Sequence, residues 1–403
     1  MVEANPTFAG RLLAAEWTRR PDLARLAEAL GEEDLRWVGG AVRDTLLGQP
    51  VADVDAATRL LPEEVMRRLK EAGIKAVPTG IDHGTVTAVL PGGNVEITTL
   101  RRDVATDGRR AIVAFATDWR EDASRRDFTI NALYAHPRSL GIEDYFGGLA
   151  DLGARRVRFI GEAEQRIRED HLRILRYYRF QARFGTGGAD GNALDAEAED
   201  ACARLAPMLK GLSRERVASE LLNLLALPDP HPTIARMFAR GVLQEVLPEA
   251  GEDELAALAR LPAAERAHGV AGNALRRLGA LLPADAERVE QVAARLRLST
   301  AQKKRLSTLA ARETLFAGPR ALAYRIGGDA ARDWLLLTGG DLAALDCWDV
   351  PAFPLKGGEI VSRGVDAGPE VARILQAVER RWVEEGFPPR TRVAELLAAE
   401  LAR

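Results

Sequence analysis

The hydrophobic pattern changes character part-way along the chain. "PDLARLAEALG" reads as a helix ended by Gly31. Short β-rich runs follow, "RWVGGAV", "DVDAAT", "KAVPT", "GTVTAVL" and "NVEITTL". The "LPGGN" between the last two is a hairpin signal, and "LPEEVMRRLKEAG" reads as a helix among the strands. Strands alternating with helices predict an α/β or α+β domain over residues 1–150. From about Arg155 onward the pattern is nearly all helical. "RIREDHLRILRYYRFQARFG" reads as one strong helix, and "GLSRERVASELLNLLAL" as another with Ser213 as its N-cap. "PDPHP" near residue 230 is a breaker, so the helical part divides into 151–232 and 233–403. No fixed-period repeat runs through it.

The 403 residues are enough for two to four domains, and 47% hydrophobic with 29% charged residues is the balance of an ordinary soluble protein. The two cysteines, Cys202 and Cys347, argue against a disulfide framework and a cysteine-based zinc site, and suit a reducing cytoplasm. An acid at Glu3 and the lack of a long apolar run argue against a secretory signal or a membrane span. The five histidines show no metal spacing, and His83 and His136 read as structural. A net charge of −3 does not advertise a nucleic-acid binder, but net charge averages over the chain. Between Arg155 and Arg183, nine arginines face four acids, a local charge of +5.

"VADVDAA" places Asp53 and Asp55 two residues apart, on one face of a strand. Such carboxylates repel and raise each other's pKa unless a cation lies between them. Mg²⁺ suits the position, because it takes oxygen ligands and shares its shell with substrate phosphates. Alone, the pair is also what a solvated edge strand shows. Upstream, Gly39 and Gly40 let the backbone approach a ligand closely, and Arg43 supplies a fork for phosphate. The spacing is neither that of a dinucleotide fold nor of a Walker loop. A glycine turn, an arginine and a downstream Asp-x-Asp together suggest a nucleoside triphosphate with a metal. Glu96 is a candidate third carboxylate, or an exposed strand residue.

In "SRRDFTINALYA", Arg125, Arg126, Asp127 and Asn131 can line a cleft while Ile130, Leu133 and Tyr134 pack inward. In the arginine-rich segment, Ile167, Ile174, Leu175, Tyr178 and Ala182 share an apolar face, and Asp170, Arg173, Arg176 and Arg179 wind around the other side. A solvated face with i,i+3 ion pairs is one reading. Against it, the positive charge is all arginine, which suits planar, bidentate partners such as phosphates and bases.

With "GGAVRD…DVD", "RRDFTINAL" and "EDHLRILRYYRF" in this order, the chain resembles the class II tRNA nucleotidyltransferases, the CCA-adding enzymes, in the branch that includes bacterial poly(A) polymerases. "TGIDHGTVTAV", "YFGGLADLGARRVRFIG", "GLSRERVASELL" and the tail "FPLKGGEIVSRGVDAGPEVARILQ" extend the resemblance over nearly the whole chain. It implies an α+β fold: a polymerase-β-like nucleotidyltransferase head, then an all-helical neck, body and tail that hold the tRNA. Its partners would be the tRNA 3′ end, CTP and ATP, and its metal Mg²⁺. Gly40 and Arg43 would bind the triphosphate, with Gly39 beside them. Asp53 and Asp55 would hold the metal. Arg126 would contact the nucleotide, Asp170 and Arg173 would read the base, and Arg176 and Arg179 would contact the nucleotide and nearby phosphates. His171 stands where many bacterial relatives have proline. The segment 101–121, with Asp107, Gly108, Arg109 and Arg110, matches the family's mobile loop. Arg276, Arg277, Lys303, Lys304 and Arg305 are candidates for the tRNA backbone, or ordinary surface charge. The alternatives are a poly(A) polymerase, an A- or CC-adding specialist, or a non-catalytic RNA-binding protein. Intact Asp53 and Asp55 argue against the last.

Overall fold

A computed structural model describes residues 6–81, 84–107, 110–185, 194–311 and 318–402. His83, Gly108 and Arg109 lie outside the described residues. By packing, the chain forms two compact units, residues 1–221 with 232–246, and residues 222–231 with 247–403.

The first unit holds a seven-stranded mixed sheet. Its strands are β1 (Leu35–Val38), β2 (Val54–Thr58), β3 (Lys75–Gly80), β4 (Thr85–Val89) and β5 (Val95–Thr99), with β8 (Leu133–Ala135) and β9 (Ile142–Asp144) after a separate ribbon. The spatial order is β3-β4-β5-β2-β1-β8-β9. Only β2 and β5 run parallel; the other neighbours are antiparallel, including the hairpin expected between β4 and β5. The segment matching a mobile loop contains β6 (Arg101–Asp107) and β7 (Arg110–Phe115), a two-stranded antiparallel ribbon.

Helices of this unit are α1 (Pro6–Ala14), α2 (Pro21–Leu30), α3 (Gly40–Leu46), α4 (Pro62–Glu71), α5 (Trp119–Ser124), α6 (Gly148–Gly153), α7 (Ala163–Glu169), α8 (Arg173–Phe184) and α9 (Ala196–Leu205). Then come α10 (Arg214–Leu225), whose end belongs to the second unit, α11 (His231–Ala239) and α12 (Val242–Val246). Gly31 ends α2 at φ 92°, as its sequence suggests.

Two local readings of the sequence are corrected. "RWVGGAV" is not one strand. It stops at Val38 and turns at Gly39, whose φ of 66° and ψ of −126° only glycine adopts readily, and α3 begins at Gly40. "RIREDHLRILRYYRFQARFG" is not one helix either. α7 ends at Asp170, which is extended (φ −152°, ψ 105°). The Asp170 carboxylate accepts the Leu172 N–H at 3.1 Å and its carbonyl accepts the Arg173 N–H at 3.0 Å, closing one helix and opening the next. The apolar period runs through the break: Ile167, Ile174, Leu175 and Tyr178 are all buried. Hence periodicity alone hides it. Phe128, before β8, packs against Phe159 and Phe180 with ring centroids 4.9 Å apart in each case, fastening α8 to the sheet domain.

The second unit is helical: α13 (Glu252–Ala267), α14 (Ala274–Ala280), α15 (Ala286–Arg295), α16 (Thr300–Ala310), α17 (Pro319–Ile326), α18 (Gly328–Thr338), α19 (Gly357–Val361), α20 (Pro369–Glu384) and α21 (Arg390–Leu401). Arg276 and Arg277 are not surface charge; they are 4% and 2% exposed. Arg276 bonds Glu265 and Asp333, at 2.6 and 2.8 Å. Arg277 bonds Glu265 and the carbonyls of Leu225 and Pro228, which capture the end of α10. Arg305 pairs with Asp333. Lys304 alone of the five is fully open, with Lys303 partly so. Among the described residues, no helix is long and apolar enough to cross a membrane.

Candidate active site

Within the first unit, a cleft of about 480 Å³ gathers the loop after β1, strand β2, the segment after α5 and the start of α8. Its lining includes Gly39, Gly40, Arg43, Asp55, Arg126, Asp170, Arg173 and Arg176, eight residues to which the family resemblance gives a role. Asp53, Glu96 and Arg179 are not among its lining residues. Asp127, Asn131, Leu172, Phe180 and Arg216 complete it.

Asp53 directly precedes β2 and Asp55 lies on it. Both are exposed while Val54 between them is buried, so the two acids share the open face. Parallel pairing sets Asp55 opposite Glu96 of β5. Partial withdrawal from water raises the Asp55 pKa; Glu96 and Asp53 add to the rise, and Arg126 opposes it. Carboxylates that repel one another with little nearby compensation suit a divalent cation. Among the described residues no group of three or more His, Cys, Asp or Glu side chains is placed to hold a metal ion. An open pair of carboxylates is how proteins hold Mg²⁺ shared with phosphates.

Arg43 projects from α3 and is 6% exposed. Its Nε donates to Asp44 at 2.8 Å, its Nη1 donates to Asn131 Oδ1, and its guanidinium stacks 4.2 Å from the Phe184 ring centroid. Burial lowers its pKa, with Asp44 working against that. Asn131 in turn donates to Asp127 at 2.8 Å, and Asp127 receives both Nε and Nη2 of Arg176 at 2.8 and 2.5 Å. Burial works against the Asp127 charge, but Arg176 and Asn131 prevail and hold its pKa below the usual value. One polar chain therefore links α3, the Asp127 segment and α8.

Arg179 bonds Glu220 of α10 at 2.6 Å and lies over Phe180. Arg173 does not meet Asp170 side chain to side chain. It bonds Glu169 at 2.6 Å, while Asp170 pairs with Arg216 of α10 at 2.7 Å. Both still line the cleft, brought there by the helix break rather than by shared helical pitch. His171, between them, is not among the cleft's lining residues, and its pKa is lowered by burial. His136 accepts the Arg138 and Ser139 N–H groups at Nδ1, a turn role. Arg216 and Phe180 were missed in the sequence. "GLSRERVASELL" reads as a helix and as a segment shared with the family, and nothing in its periodicity marks Arg216 for the cleft.

Residues 35–158 match a family model described as "Poly A polymerase head domain", and residues 193–253 one described as "Probable RNA and SrmB- binding site of polymerase A". A mouse protein named CCA tRNA nucleotidyltransferase 1, mitochondrial, is 35% identical over 392 residues, spanning 91% of this chain and 87% of its own. The chain belongs to the CCA tRNA nucleotidyltransferase family. A CCA-adding enzyme of Streptococcus pyogenes is 42% identical over 221 residues, 54% of this chain and 52% of its own. Among solved structures, the Bacillus stearothermophilus CCA-adding enzyme in complex with CTP is 27% identical, with a TM-score of 0.75, covering 95% of this chain and 99% of that one. The Thermotoga maritima CCA-adding enzyme complexed with tRNA shares the fold at 21% identity and a TM-score of 0.71, covering 98% of each chain. The expected architecture of a nucleotidyltransferase head followed by helices is thereby met. Enzymes with this type of head are generally metal-dependent.

Proposed function

We propose that this chain adds cytidine, cytidine and adenosine to the tRNA 3′ end from CTP and ATP without a template, releasing pyrophosphate. The observation that carries this is the cleft that brings together the glycine turn at Gly39, Arg43, Arg126, the strand carboxylate Asp55, and Asp170 with Arg173. The near full-length relative named for CCA addition supports it over a poly(A) polymerase or a single-nucleotide specialist.

The tRNA 3′-hydroxyl attacks the α-phosphate of the incoming nucleotide, and pyrophosphate leaves. Gly39 and Gly40 admit the triphosphate against the backbone. Arg43 and Arg126 stabilise its charge, and their neighbours hold them in place before substrate arrives. Asp53 and Asp55 hold Mg²⁺, with Glu96 adding negative field beside them. Bound there, the ion lowers the pKa of the attacking hydroxyl and offsets charge on the departing phosphates. Asp170 only accepts hydrogen bonds and Arg173 only donates. Cytosine and adenine both show an amino donor beside a ring-nitrogen acceptor, and uracil and guanine show the reverse. Asp170 and Arg173 thus welcome C and A. Arg176 contacts the nucleotide from the cleft wall, and Arg179, beyond the cleft lining, contacts nearby phosphates.

Residues 1–150 act as the nucleotidyltransferase head, 151–232 as the base-reading neck, and 233–403 as the tRNA-holding body and tail. Free cysteines at Cys202 and Cys347 fit a reducing cytoplasm. Incubating the protein with CTP, ATP, Mg²⁺ and a tRNA lacking its tail, then sequencing the product ends, tests the reading. Ends reading CCA support it. Adenosine runs, single additions or unextended tRNA contradict it.

A further inference from the structure

Arg126 is held chiefly along one edge. Its Nε donates to the Tyr134 hydroxyl at 3.0 Å and its Nη2 to Asp122 Oδ2 at 3.2 Å. Its Nη1 lies on the other edge, where it makes one long bond to the Asn131 carbonyl at 3.4 Å and sits 3.6 Å from where a Cβ of Gly39 would stand, on the side of the cleft. Asp122 is 1% exposed and its acceptor sites are fully used. Oδ2 also takes the Tyr134 O–H at 2.7 Å. Oδ1 takes the Arg125 Nε at 2.9 Å and the Arg101 backbone N–H, where the β6–β7 ribbon begins, at 3.2 Å. The Tyr134 ring stacks under Arg126, 5.1 Å from the guanidinium carbon.

We propose that Asp122 and Tyr134 are positioning residues for Arg126: they grip one edge of its guanidinium so that the more loosely held edge meets the triphosphate, and Asp122 fastens the root of the ribbon to the same point. This rests on the reading that Arg126 binds the nucleotide. A guanidinium is a flat fork, so fixing Nε and Nη2 fixes where Nη1 points. The electrostatics agree. Burial works against the Arg126 charge, yet Tyr134 and Asp122 outweigh it and raise its pKa. The Asp122 carboxyl lies below its usual range, because Arg126 and Arg125 overcome its burial. Arg126 therefore stays charged and aimed in an interior position.

The test uses the full-length protein. Binding of CTP and of inorganic pyrophosphate is measured by calorimetry without tRNA. KM for CTP and ATP, tRNA affinity and melting temperature are measured alongside. Tyr134→Phe keeps the ring and removes the hydroxyl, and should weaken CTP and pyrophosphate binding about three- to tenfold. Asp122→Asn, which turns a donor toward Arg126, should weaken both at least about tenfold. In both variants tRNA affinity stays at the parent value, and the loss appears in nucleotide KM. Asp122→Glu, which restores the charge, should recover part of the binding, and with Tyr134→Phe it stands in if the amide does not fold. Tyr134→Phe binding both ligands like the parent, while Arg126→Ala weakens them, overturns the positioning role and leaves the site reading intact. Arg126→Ala binding both like the parent overturns the site reading and this inference with it. Losses of CTP affinity, tRNA affinity and melting temperature in step also overturn it, since a purely structural role would give them.

Discussion

Asp170 and Arg216 meet at 2.7 Å, joining the break before α8 to helix α10. Their side chains are 32% and 49% exposed, so the pair is worth only ~0–1 kcal/mol. A base that bonds Asp170 displaces Arg216 at small cost. Arg216→Gln should therefore change KM for CTP and ATP by less than about fivefold. Asp170→Ala should raise the relative use of UTP and GTP, by ~1–3 kcal/mol of lost discrimination. The check is kcat/KM for all four triphosphates. If Arg216→Gln relaxes base choice as much as Asp170→Ala, then Arg216 itself reads the base.

Asp53→Ala and Asp55→Ala should each abolish incorporation while tRNA binding persists. Activity within about tenfold of the parent, ~1.4 kcal/mol in barrier, contradicts the metal assignment. The Asp55 carboxylate carries a stability cost. Asp55 has a folded pKa above its ordinary value, so its ionised form disfavours the native state at neutral pH. Asp55→Asn should then melt higher than the parent in metal-free buffer, though inactive. A lower melting temperature would show that the acid cluster is not repulsive.

Asp127 shows the opposite sign. Its folded pKa is lowered, so its contribution is fully present above the unfolded value, ~3.9, and is lost as pH falls through the folded value. Asp127→Asn breaks its bonding to Arg176 and should cost ~3 kcal/mol at pH 7. Thermal melts of both proteins from pH 8 downward should show the gap narrowing only in strong acid. A gap independent of pH would remove ionisation from the account.

The basic residues of the second unit separate by burial. Arg277→Ala removes one of the two guanidinium partners of Glu265 and strands the carbonyls at the end of α10, and should destabilise by ~3 kcal/mol. Lys303→Ala and Lys304→Ala should leave folding unchanged. If they touch tRNA phosphates, the slope of log affinity against log salt falls by ~1 for each contact removed. Unchanged slopes exclude these lysines from the RNA surface.

The strands and the long amphipathic helices were legible because apolar periodicity reports burial directly. β2 through β5 and α4 stand where alternation and helical spacing put them. The Asp170 break was not legible, because backbone bonds to one aspartate interrupt the helix without disturbing the apolar phase. Gly39 was recognised as a turn residue, but nothing local showed that a helix starts directly after it. Among the cleft residues, Asp55, Arg43 and Arg126 stand out by residue type, while their partners do not follow from spacing. Arg173 bonds Glu169 and Asp170 bonds a residue 46 positions away. Arg276 and Arg277 look like surface charge in sequence, and only tertiary packing against Glu265 and Asp333 buries them.

The parallel register of β2 with β5 sets a rule for how the chain can change length. One residue inserted between Asp53 and Thr58 would swap the strand's two faces, turning the acids inward and Val54 and Ala56 outward. Nothing in a buried interior strand can absorb that. At the sheet's edge, β3 already slips against β4 between Val77 and Gly80. Insertions and deletions that spare activity should collect around β3 and be absent from β2, so the lineage can lengthen its rim but not its centre.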